Sequence, residues 1–382
     1  MALPDIIEIV PLDRPVRAEI TVPGSKSITN RALILAALAD GEVILKGALW
    51  SEDTQIMVDC LKTLGFVVSV KADPDEPCNR TILVVGQGGM APTGGTETEP
   101  LDLFVGNAGT AARFLAPFLC LGNGVYRLHG VPRMHERPQA ALFQALRELG
   151  YRVESENNND KLPARIFAGT AGQSPESMTE FIARKQIAPV PKQCHVSIAE
   201  SSQFASALLL SAEVGGWDII IDGENADESP YVVMTQKLIA AFPKRGGVFQ
   251  IEPDASSGSY FWAANWLVSV GAWMKDFLQD TPYPAIEQRF HVLWEWVNTE
   301  HRPGAISPAH ENQLAVSVRN WPQSGWQIDA DFPDFIPLPK QVSREGQLGD
   351  SIMTAIVVAA DLWGGLGLER REKGICFADL QR

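Results

Sequence analysis

Three windows of the chain repeat one order of polar and apolar positions. Each window begins with small polar residues, continues through an Ala- and Leu-rich run of helical length, and reaches a break that contains glycine. A short β-prone run then closes on another glycine. The apolar run predicts a helix, the break predicts its end, and the β-prone run predicts a strand. Residues 24–47, 107–130 and 200–223 therefore each predict a helix followed by a strand.

A second helical pattern follows each window, beginning at Glu52, Arg137 and Ser229. Two more helix starts lie at Asp254 and Ser351. Any α/β protein can produce one pair of similar windows by chance, but three windows of equal length with matching glycines favour a true repeat. The sequence therefore predicts an α/β fold, also describable as α+β, built from repeated βαβαββ-like units with helices that are apolar nearly all round.

Three further segments contrast with these windows. Residues 71–100 and 155–195 are rich in Pro, Gly, Asn, Asp and Thr, and they predict irregular hairpins that join the units. Residues 275–345 contain many Trp and Pro residues and show no clean period. This segment is the least legible part of the chain, and the pattern does not assign its elements.

Composition and charge narrow the functional class. The 382 residues are 45% hydrophobic and 20% charged, which is ordinary for a globular protein of two or three domains and excludes wholesale disorder or a coiled coil. The net charge of −14 opposes general binding to nucleic acid or to an anionic membrane, because those partners require a concentrated basic surface. We therefore expect neither partner, and any anionic ligand must be held by a few local cations.

The cysteines and the N-terminus indicate the compartment. An odd number of cysteines without CxxC spacing argues against a disulfide framework and against a structural zinc site. They are Cys60, Cys78, Cys120, Cys194 and Cys376. Asp5 and Glu8 interrupt what would be the apolar part of a signal peptide, and the apolar stretch 352–360 is too short to span a bilayer. We expect a cytoplasmic protein without a metal site.

The polar clusters lie where the three helices should begin. Helix N-termini carry unpaired N–H groups and the positive end of the helix dipole, so they suit phosphate or carboxylate ligands. Simple N-capping by Ser or Thr is the alternative. Cations beside these helix starts oppose the dipole unless an anion binds, although each alone could be a solvated surface charge. These cations are Lys26, Arg31, Arg113, Arg133 and Arg137.

Three of these segments carry a family resemblance. VPGSKSITNRAL from Val22, LFVGNAGTAARFL from Leu103 and PRMHERP from Pro132 together resemble the 3-phosphoshikimate 1-carboxyvinyltransferase (EPSP synthase) family of enolpyruvyl transferases. Further segments follow in the family's order: SSQFASALLLSA from Ser201, ESPYVVMT from Glu228, DASSGSYF from Asp254 and GDSIMTA from Gly349. The resemblance is dense over residues 20–262, weak over 263–345, and resumes at Gly349.

The resemblance implies a fold of two lobes, an inside-out α/β barrel of the enolpyruvyl transferase/RNA 3′-phosphate cyclase type. Each lobe contains three βαβαββ units, with helix N-termini facing the cleft. Residues 20–253 would form the first lobe, residues 1–19 would add strands to the second lobe, and residues 254–382 would form part of that second lobe. The implied reaction transfers the enolpyruvyl group of phosphoenolpyruvate to the 5-hydroxyl of shikimate 3-phosphate, releases phosphate, and uses no metal or organic cofactor.

The resemblance also implies the site residues. Lys26 and Asp350 would be catalytic, with Asp350 as the general base. Asp350 could also act as a helix N-cap. Shikimate 3-phosphate would be bound by Lys26, Ser27, Arg31, Ser201, Ser202, Gln203, Tyr231 and Asp350. Phosphoenolpyruvate would be bound by Lys26, Asn107, Gly109, Arg137 and Gln203.

Two departures from the family pattern leave alternatives open. Glu228 replaces a small residue and would place a carboxylate near a bound phosphate. The family's later Glu, Arg and Lys motifs have no counterpart here, so we expect an incomplete second lobe. A complete chain would be a monomer, and an incomplete lobe could associate. A non-catalytic shikimate 3-phosphate-binding homologue is one alternative. A UDP-N-acetylglucosamine enolpyruvyl transferase fits less well, because Ser27 replaces the expected Asn and Cys120 lies in an apolar helix.

Overall fold

The computed structural model divides the chain into two compact units. The larger unit comprises Pro23–Asp254 and Ser324–Gln327, and the smaller unit takes the chain up to Val22 together with Ala255–Gln323 and Ile328–Gln381. The residues that the structure describes are 16–74, 76–89, 93–169, 192–223, 229–278, 316–336, 338–339, 341–364 and 376–378. Side chains are described for all of these except 269–278, 360–364, 376 and 378.

The helices and strands of the described residues are numbered along the chain. The α-helices are α1 (Lys26–Leu38), α2 (Glu52–Thr63), α3 (Gly109–Cys120), α4 (Ala140–Glu148), α5 (Gln203–Gly215), α6 (Pro230–Ala241), α7 (Ala255–Leu278) and α8 (Ile352–Gly364). The strands are β1 (Ala18–Ile20), β2 (Asp40–Leu49), β3 (Val68–Ala72), β4 (Asn79–Gln87), β5 (Leu101–Phe104), β6 (Gly124–His129), β7 (Arg152–Ser155), β8 (Ala164–Ala168), β9 (Lys192–Ser197), β10 (Trp217–Asp222), β11 (Gly247–Gln250), β12 (Val316–Val318), β13 (Gln341–Ser343) and β14 (Cys376–Ala378).

The predicted βαβαββ unit is complete in the second repeat. The elements β5, α3, β6, α4, β7 and β8 follow one another, and their strands form one sheet in the order β5-β6-β8-β7. The β5–β6 pair is parallel, whereas β8 pairs antiparallel with both β6 and β7. A parallel pair needs a crossover, and α3 provides it. The α/β fold class and the repeated unit are therefore confirmed.

The sheet of the first repeat has the same arrangement of strands as that of the second, but one of its strands comes from a distant part of the chain. Its order is β11-β2-β4-β3, and β11 pairs parallel with β2, with Gly247 opposite Val43. Strand β11 thus takes the place that β5 occupies in the second sheet, although it lies about two hundred residues further along the chain. The third repeat supplies the parallel pair β9–β10, joined by α5. The last strand of the larger unit therefore completes its first sheet.

Three helices form the centre of the larger unit. Helices α1 and α3 are buried along nearly their whole length, and Leu33, Phe114 and Phe118 are fully buried. Arg31, the sixth residue of α1, lies 5.2 Å from the ring of Phe114, the sixth residue of α3, and donates to Ser206 on the first turn of α5. These contacts join residues that lie at similar distances from the starts of their helices. The helices α1, α3 and α5 therefore begin at the same end of the unit.

At α5 the glycine-containing break ends the helix, as the pattern predicts. Gly216 follows the helix in the left-handed conformation, with φ 64° and ψ 41°, and its N–H donates to the carbonyl of Ala212. A residue with a Cβ is disfavoured in this conformation, so glycine ends the helix cleanly. Strand β10 begins at the next residue.

The described parts of the two predicted hairpin segments are more regular than expected, while residues 90–92 and 170–191 of these segments lie outside the described residues. Strand β4 lies inside residues 71–100 and pairs along its length with β2 and β3, while β8 lies inside residues 155–195. Ile82 and Val84 alternate inward and are fully buried, which holds β4 in the sheet despite the turn residues around it. The expectation of irregular structure is therefore wrong for these two strands.

The smaller unit has its own apolar core. Helices α7 and α8 are linked by a hydrogen bond of 2.7 Å between Ser259 and Thr354, and Phe332 and Ile352 are fully buried beside them. Strand β1 pairs parallel with β12, and β13 pairs parallel with β14. A helix that could span a membrane is not found among the described residues.

One buried side chain of the larger unit lacks partners and gives a stability prediction. Gln139, just before α4, is 1% exposed, and neither its amide oxygen nor its amide nitrogen has a hydrogen-bond partner. Burying an unsatisfied polar group costs about 1–3 kcal/mol. Gln139→Met keeps the length of the side chain and removes this cost, so we expect the free energy of unfolding to rise by about 1–3 kcal/mol in urea titrations.

The matched control is Gln144→Met on the exposed face of the same helix, where Gln144 donates to Glu148. Surface substitutions of this kind change stability by about 0.5 kcal/mol or less. A lower stability for Gln139→Met than for the control would show that the amide of Gln139 is bonded through buried water.

Candidate functional site

The starts of α1, α3 and α5 lack ordinary side-chain caps. Ser25, Ala108 and Ser202 occupy the N-cap positions, and none of these side chains makes a capping hydrogen bond. At α5, Ser201 instead accepts from the backbone N–H of Gln203 at 3.3 Å. Helix N-termini left in this state can bind anions. The structure thus does not support the N-capping alternative at the N-cap positions themselves.

Lys26 lies at the exposed start of α1. Its ammonium forms an ion pair of 3.5 Å with Asp53 on the first turn of α2, and its backbone N–H lies 3.4 Å from a carboxylate oxygen of Asp254. About half of the Lys26 side chain remains exposed. The neighbouring Ser27 is half-buried, and its carbonyl accepts from Arg31 at 2.9 Å.

Arg31 is buried in the centre of the larger unit, with 2% exposure. Its guanidinium donates to Thr235 at 2.8 Å and to Ser206 at 3.0 Å, and it reaches the carbonyl of Tyr231 at 3.5 Å. Burial lowers the pKa of Arg31 to about 10. Among the described residues no carboxylate forms an ion pair with it. Arg31 is therefore a buried positive charge with hydrogen bonds but without a counter-charge.

Arg113 is the second buried cation, on the first turns of α3. It is 5% exposed, stacks 5.0 Å from the Phe204 ring, and donates to Gln203 at 2.7 Å and to Ser201 at 3.2 Å. Burial, and then the nearby charge of Arg137, lowers the pKa of Arg113 to about 10. Two like charges in a partly buried place favour the arrival of an anion.

Arg137 covers the start of α3. Its guanidinium donates to the carbonyl of Asn107 at 3.3 Å and lies directly against Gly109. A Cβ on Gly109 would overlap the guanidinium of Arg137. The absence of a side chain at Gly109 thus leaves room for the Arg137 guanidinium, whereas the family resemblance implied a contact between Gly109 and phosphoenolpyruvate. Asn107 is exposed beside this cation.

The predicted residues of the third repeat lie together at the start of α5. Ser201, Ser202 and Gln203 are half-buried and consecutive. Tyr231, on the first turn of α6, is also half-buried, and its carbonyl accepts from Ser206 at 3.2 Å and from Thr235 at 2.7 Å. Arg31 of α1 thus bonds to α5 and α6, and Arg113 of α3 bonds to residues at the start of α5.

Asp350 is placed differently from the other predicted residues. It belongs to the smaller unit, in a short 3-10 helix (Gly349–Ser351) that leads into α8, and its exposed carboxylate accepts from Arg344 at 2.6 Å. The predicted departure at Glu228 lies outside the described residues. Among the residues that the structure describes, no three His, Cys, Asp or Glu side chains are grouped to hold a metal ion.

Several residues of this site were missed by the sequence argument. Asp53, Ser206 and Thr235 each bond to a predicted site residue, yet each lies in an ordinary helical stretch of sequence. Arg113 was visible as a cation near a helix start, but its partners on α5 could not be read from the chain. The one available signal was a charged residue inside an otherwise apolar helical window.

The family model for EPSP synthase (3-phosphoshikimate 1-carboxyvinyltransferase) matches residues 12–244. The 3-phosphoshikimate 1-carboxyvinyltransferase of Opitutus terrae is 40% identical over 285 residues, which are 69% of this chain and 59% of that protein. The protein of the same name from Nostoc punctiforme is 38% identical over 280 residues, with coverage of 68% and 59%. The chain thus spans about three fifths of the length of these relatives.

Solved structures also match. An EPSP synthase from Acinetobacter baumannii aligns with a TM-score of 0.49 and 20% sequence identity, over 68% of this chain and 55% of that one.

Proposed function

Because the chain belongs to the EPSP synthase family, we propose that it binds shikimate 3-phosphate and phosphoenolpyruvate and transfers the enolpyruvyl group to the 5-hydroxyl of shikimate 3-phosphate. The family match over residues 12–244 contains every proposed site residue except Asp350. The names of the relatives agree with this reaction and not with an enzyme acting on UDP-N-acetylglucosamine.

The observation that carries the proposal is the presence of four cations at the starts of two helices whose N-cap side chains make no capping hydrogen bond. Lys26, Arg31, Arg113 and Arg137 lie on or beside the first turns of α1 and α3 in a chain of net charge −14. Two of these cations are buried without an ion pair among the described residues. Both proposed substrates are anions that would supply the missing negative charge.

We assign the two substrates to the two ends of this cluster. Ser201, Ser202 and the first N–H groups of α5 would hold the phosphate of shikimate 3-phosphate, with Ser27, Arg31 and Tyr231 behind it. At α3, Asn107, Gly109 and Arg137 would hold phosphoenolpyruvate, and Lys26 and Gln203 would contact both substrates. Charge-assisted bonds of this kind are the strong ones in protein sites.

The chemistry requires one proton acceptor and an anion-stabilising surface. The 5-hydroxyl oxygen would bond to C2 of phosphoenolpyruvate, its proton would pass to a carboxylate, and a proton would be added at C3. Loss of one proton from the resulting methyl group, with departure of phosphate carrying the electrons of its C–O bond, would then restore the double bond. Asp350 is the proposed acceptor on the family resemblance, and Lys26 would stabilise the developing charge.

The proposal also covers the residue ranges of the two lobes and the cellular compartment of the protein. We assign residues 20–253 to the substrate-binding lobe and residues 1–19 and 254–382 to the other lobe. The division of the described residues after Val22 and after Asp254 supports these boundaries. The odd number of cysteines and their scattered positions support a cytoplasmic location.

The test is a turnover assay paired with a binding assay. We expect the chain, mixed with shikimate 3-phosphate and phosphoenolpyruvate, to release inorganic phosphate and to form the enolpyruvyl ether, detected by chromatography. Calorimetry with shikimate 3-phosphate alone should show binding. Binding without turnover would support the non-catalytic alternative, and absence of both would overturn the proposal.

Lys26→Ala gives a smaller, matched prediction. One charge-assisted contact from an exposed lysine is worth about 1 kcal/mol, so shikimate 3-phosphate should bind about fivefold more weakly. Lys46→Ala, on the exposed side of β2, is the control and should leave the affinity unchanged. Equal affinities for both variants in calorimetry would remove Lys26 from the site.

A further inference from the structure

Arg113 connects two helix starts. It lies on α3, yet its Nη1 donates to Gln203 Oε1 at 2.7 Å and to Ser201 Oγ at 3.2 Å at the start of α5. The side chain is 5% exposed and stacks over the ring of Phe204. A guanidinium that is buried, stacked and bonded in this way has one orientation available, because turning outward would lose all of these contacts.

These bonds decide what Ser201 and Gln203 can offer to a ligand. A Gln side chain has an acceptor and a donor end, and a Ser hydroxyl can accept two hydrogen bonds and donate one. The bond from Arg113 holds Oε1 of Gln203 against the cation and occupies one of its two lone pairs, so the NH₂ group is the end of Gln203 that we expect to contact a ligand. Ser201 Oγ accepts from Arg113 and from the backbone N–H of Gln203, so its remaining capacity is to donate.

We propose that Arg113 is a positioning residue that orients Ser201 and Gln203 as hydrogen-bond donors toward a ligand. The start of α5 then selects ligand oxygens that only accept, such as those of an ionised phosphate. It rejects a group that must itself donate, because two donors would face each other. The inference rests on the proposed function, since Ser201 and Gln203 are proposed contacts of shikimate 3-phosphate.

Arg113 could also act by its charge alone, and the two explanations make different predictions. A charge acts on the anion whether or not Gln203 has its amide. The part of a positioning effect that acts through Gln203, which accepts the shorter of the two bonds, disappears once the amide is removed. A double-mutant cycle therefore separates them, because residues that act through one another are not additive.

The experiment measures shikimate 3-phosphate binding to the full chain by calorimetry for four proteins: wild type, Arg113→Met, Gln203→Met and the double variant. We expect each single variant to bind about tenfold more weakly, and the double variant to bind little more weakly than either one. Arg113→Lys should recover part of the loss, since an ammonium can still donate to one of the two acceptors. Arg245→Met, an exposed arginine outside the site, is the control.

Additive losses in the double variant would overturn the positioning role and leave a simple charge effect. An unchanged affinity for Arg113→Met would overturn the inference altogether. If thermal unfolding shows that Arg113→Met is not folded, the cycle is run with Arg113→Lys, and the same comparison decides. Absence of binding by the wild-type chain is a separate result, which overturns the proposed function.

Discussion

Replacing Gly109 with alanine should weaken phosphoenolpyruvate binding by about tenfold to a hundredfold while the protein stays folded. The new Cβ would overlap the Arg137 guanidinium, which lies against Gly109 and donates to Asn107. That guanidinium is the free end of a flexible side chain, so it can move aside at little cost to stability. The move takes away the cation that we assign to phosphoenolpyruvate.

The measurement is the apparent Michaelis constant for phosphoenolpyruvate at saturating shikimate 3-phosphate, beside calorimetry with each substrate alone and a thermal unfolding curve for each variant. Gly130→Ala is the matched contrast, because its Cβ would overlap the backbone carbonyl of Gly106, which cannot move freely. We expect that variant to lose stability instead. Equal losses of affinity for both substrates in Gly109→Ala would indicate a general folding defect and would contradict the assignment.

The helix starts of this site follow closely from the sequence, because their signals are local. The Ala- and Leu-rich runs, the small residues before them and glycines such as Gly216 define α1, α3 and α5 within a few residues. The α/β class follows from the same signals. Strand β4 was missed because Pro, Gly and Asn residues surround it, although Ile82 and Val84 already alternate inward.

What could not be predicted depends on contacts distant in sequence. No local signal in β11 indicates that it pairs with β2. The bonds of Arg113 to α5 require the packing of two helices that are separated by most of a repeat. The resemblance implied that Gly109 contacts phosphoenolpyruvate, but it gave no indication that the group against Gly109 is Arg137, which comes from the following loop.

Arg31 is both a buried residue of the core and a proposed contact of the ligand. It is buried among α1, α5 and α6, and burial lowers its pKa well below the ordinary value of a guanidinium, to about 10. Such a lowering corresponds to about 3 kcal/mol against the charged form. A buried charge retained at this cost suggests a role in binding an anion, because a hydrophobic residue of similar size is often neutral or stabilising in its place.

Two substitutions of Arg31 separate these roles. Arg31→Ala leaves a cavity between three helices, so the free energy of unfolding should fall by about 2–5 kcal/mol in urea titrations. Arg31→Met fills most of that volume. The acceptors Thr235, Ser206 and the Tyr231 carbonyl keep hydrogen bonds with one another. We therefore expect Arg31→Met to change stability by less than about 1.5 kcal/mol.

The affinity for shikimate 3-phosphate should fall in Arg31→Met even though the stability of that variant changes little. If the Arg31 charge acts on the phosphate of shikimate 3-phosphate, Arg31→Met should bind it at least about tenfold more weakly despite its stability, since a charge-assisted contact is worth about 1.5–3 kcal/mol. Calorimetry on Arg31→Met beside wild type measures this directly. An unchanged affinity would remove Arg31 from the ligand site and leave it as a residue that joins α1, α5 and α6.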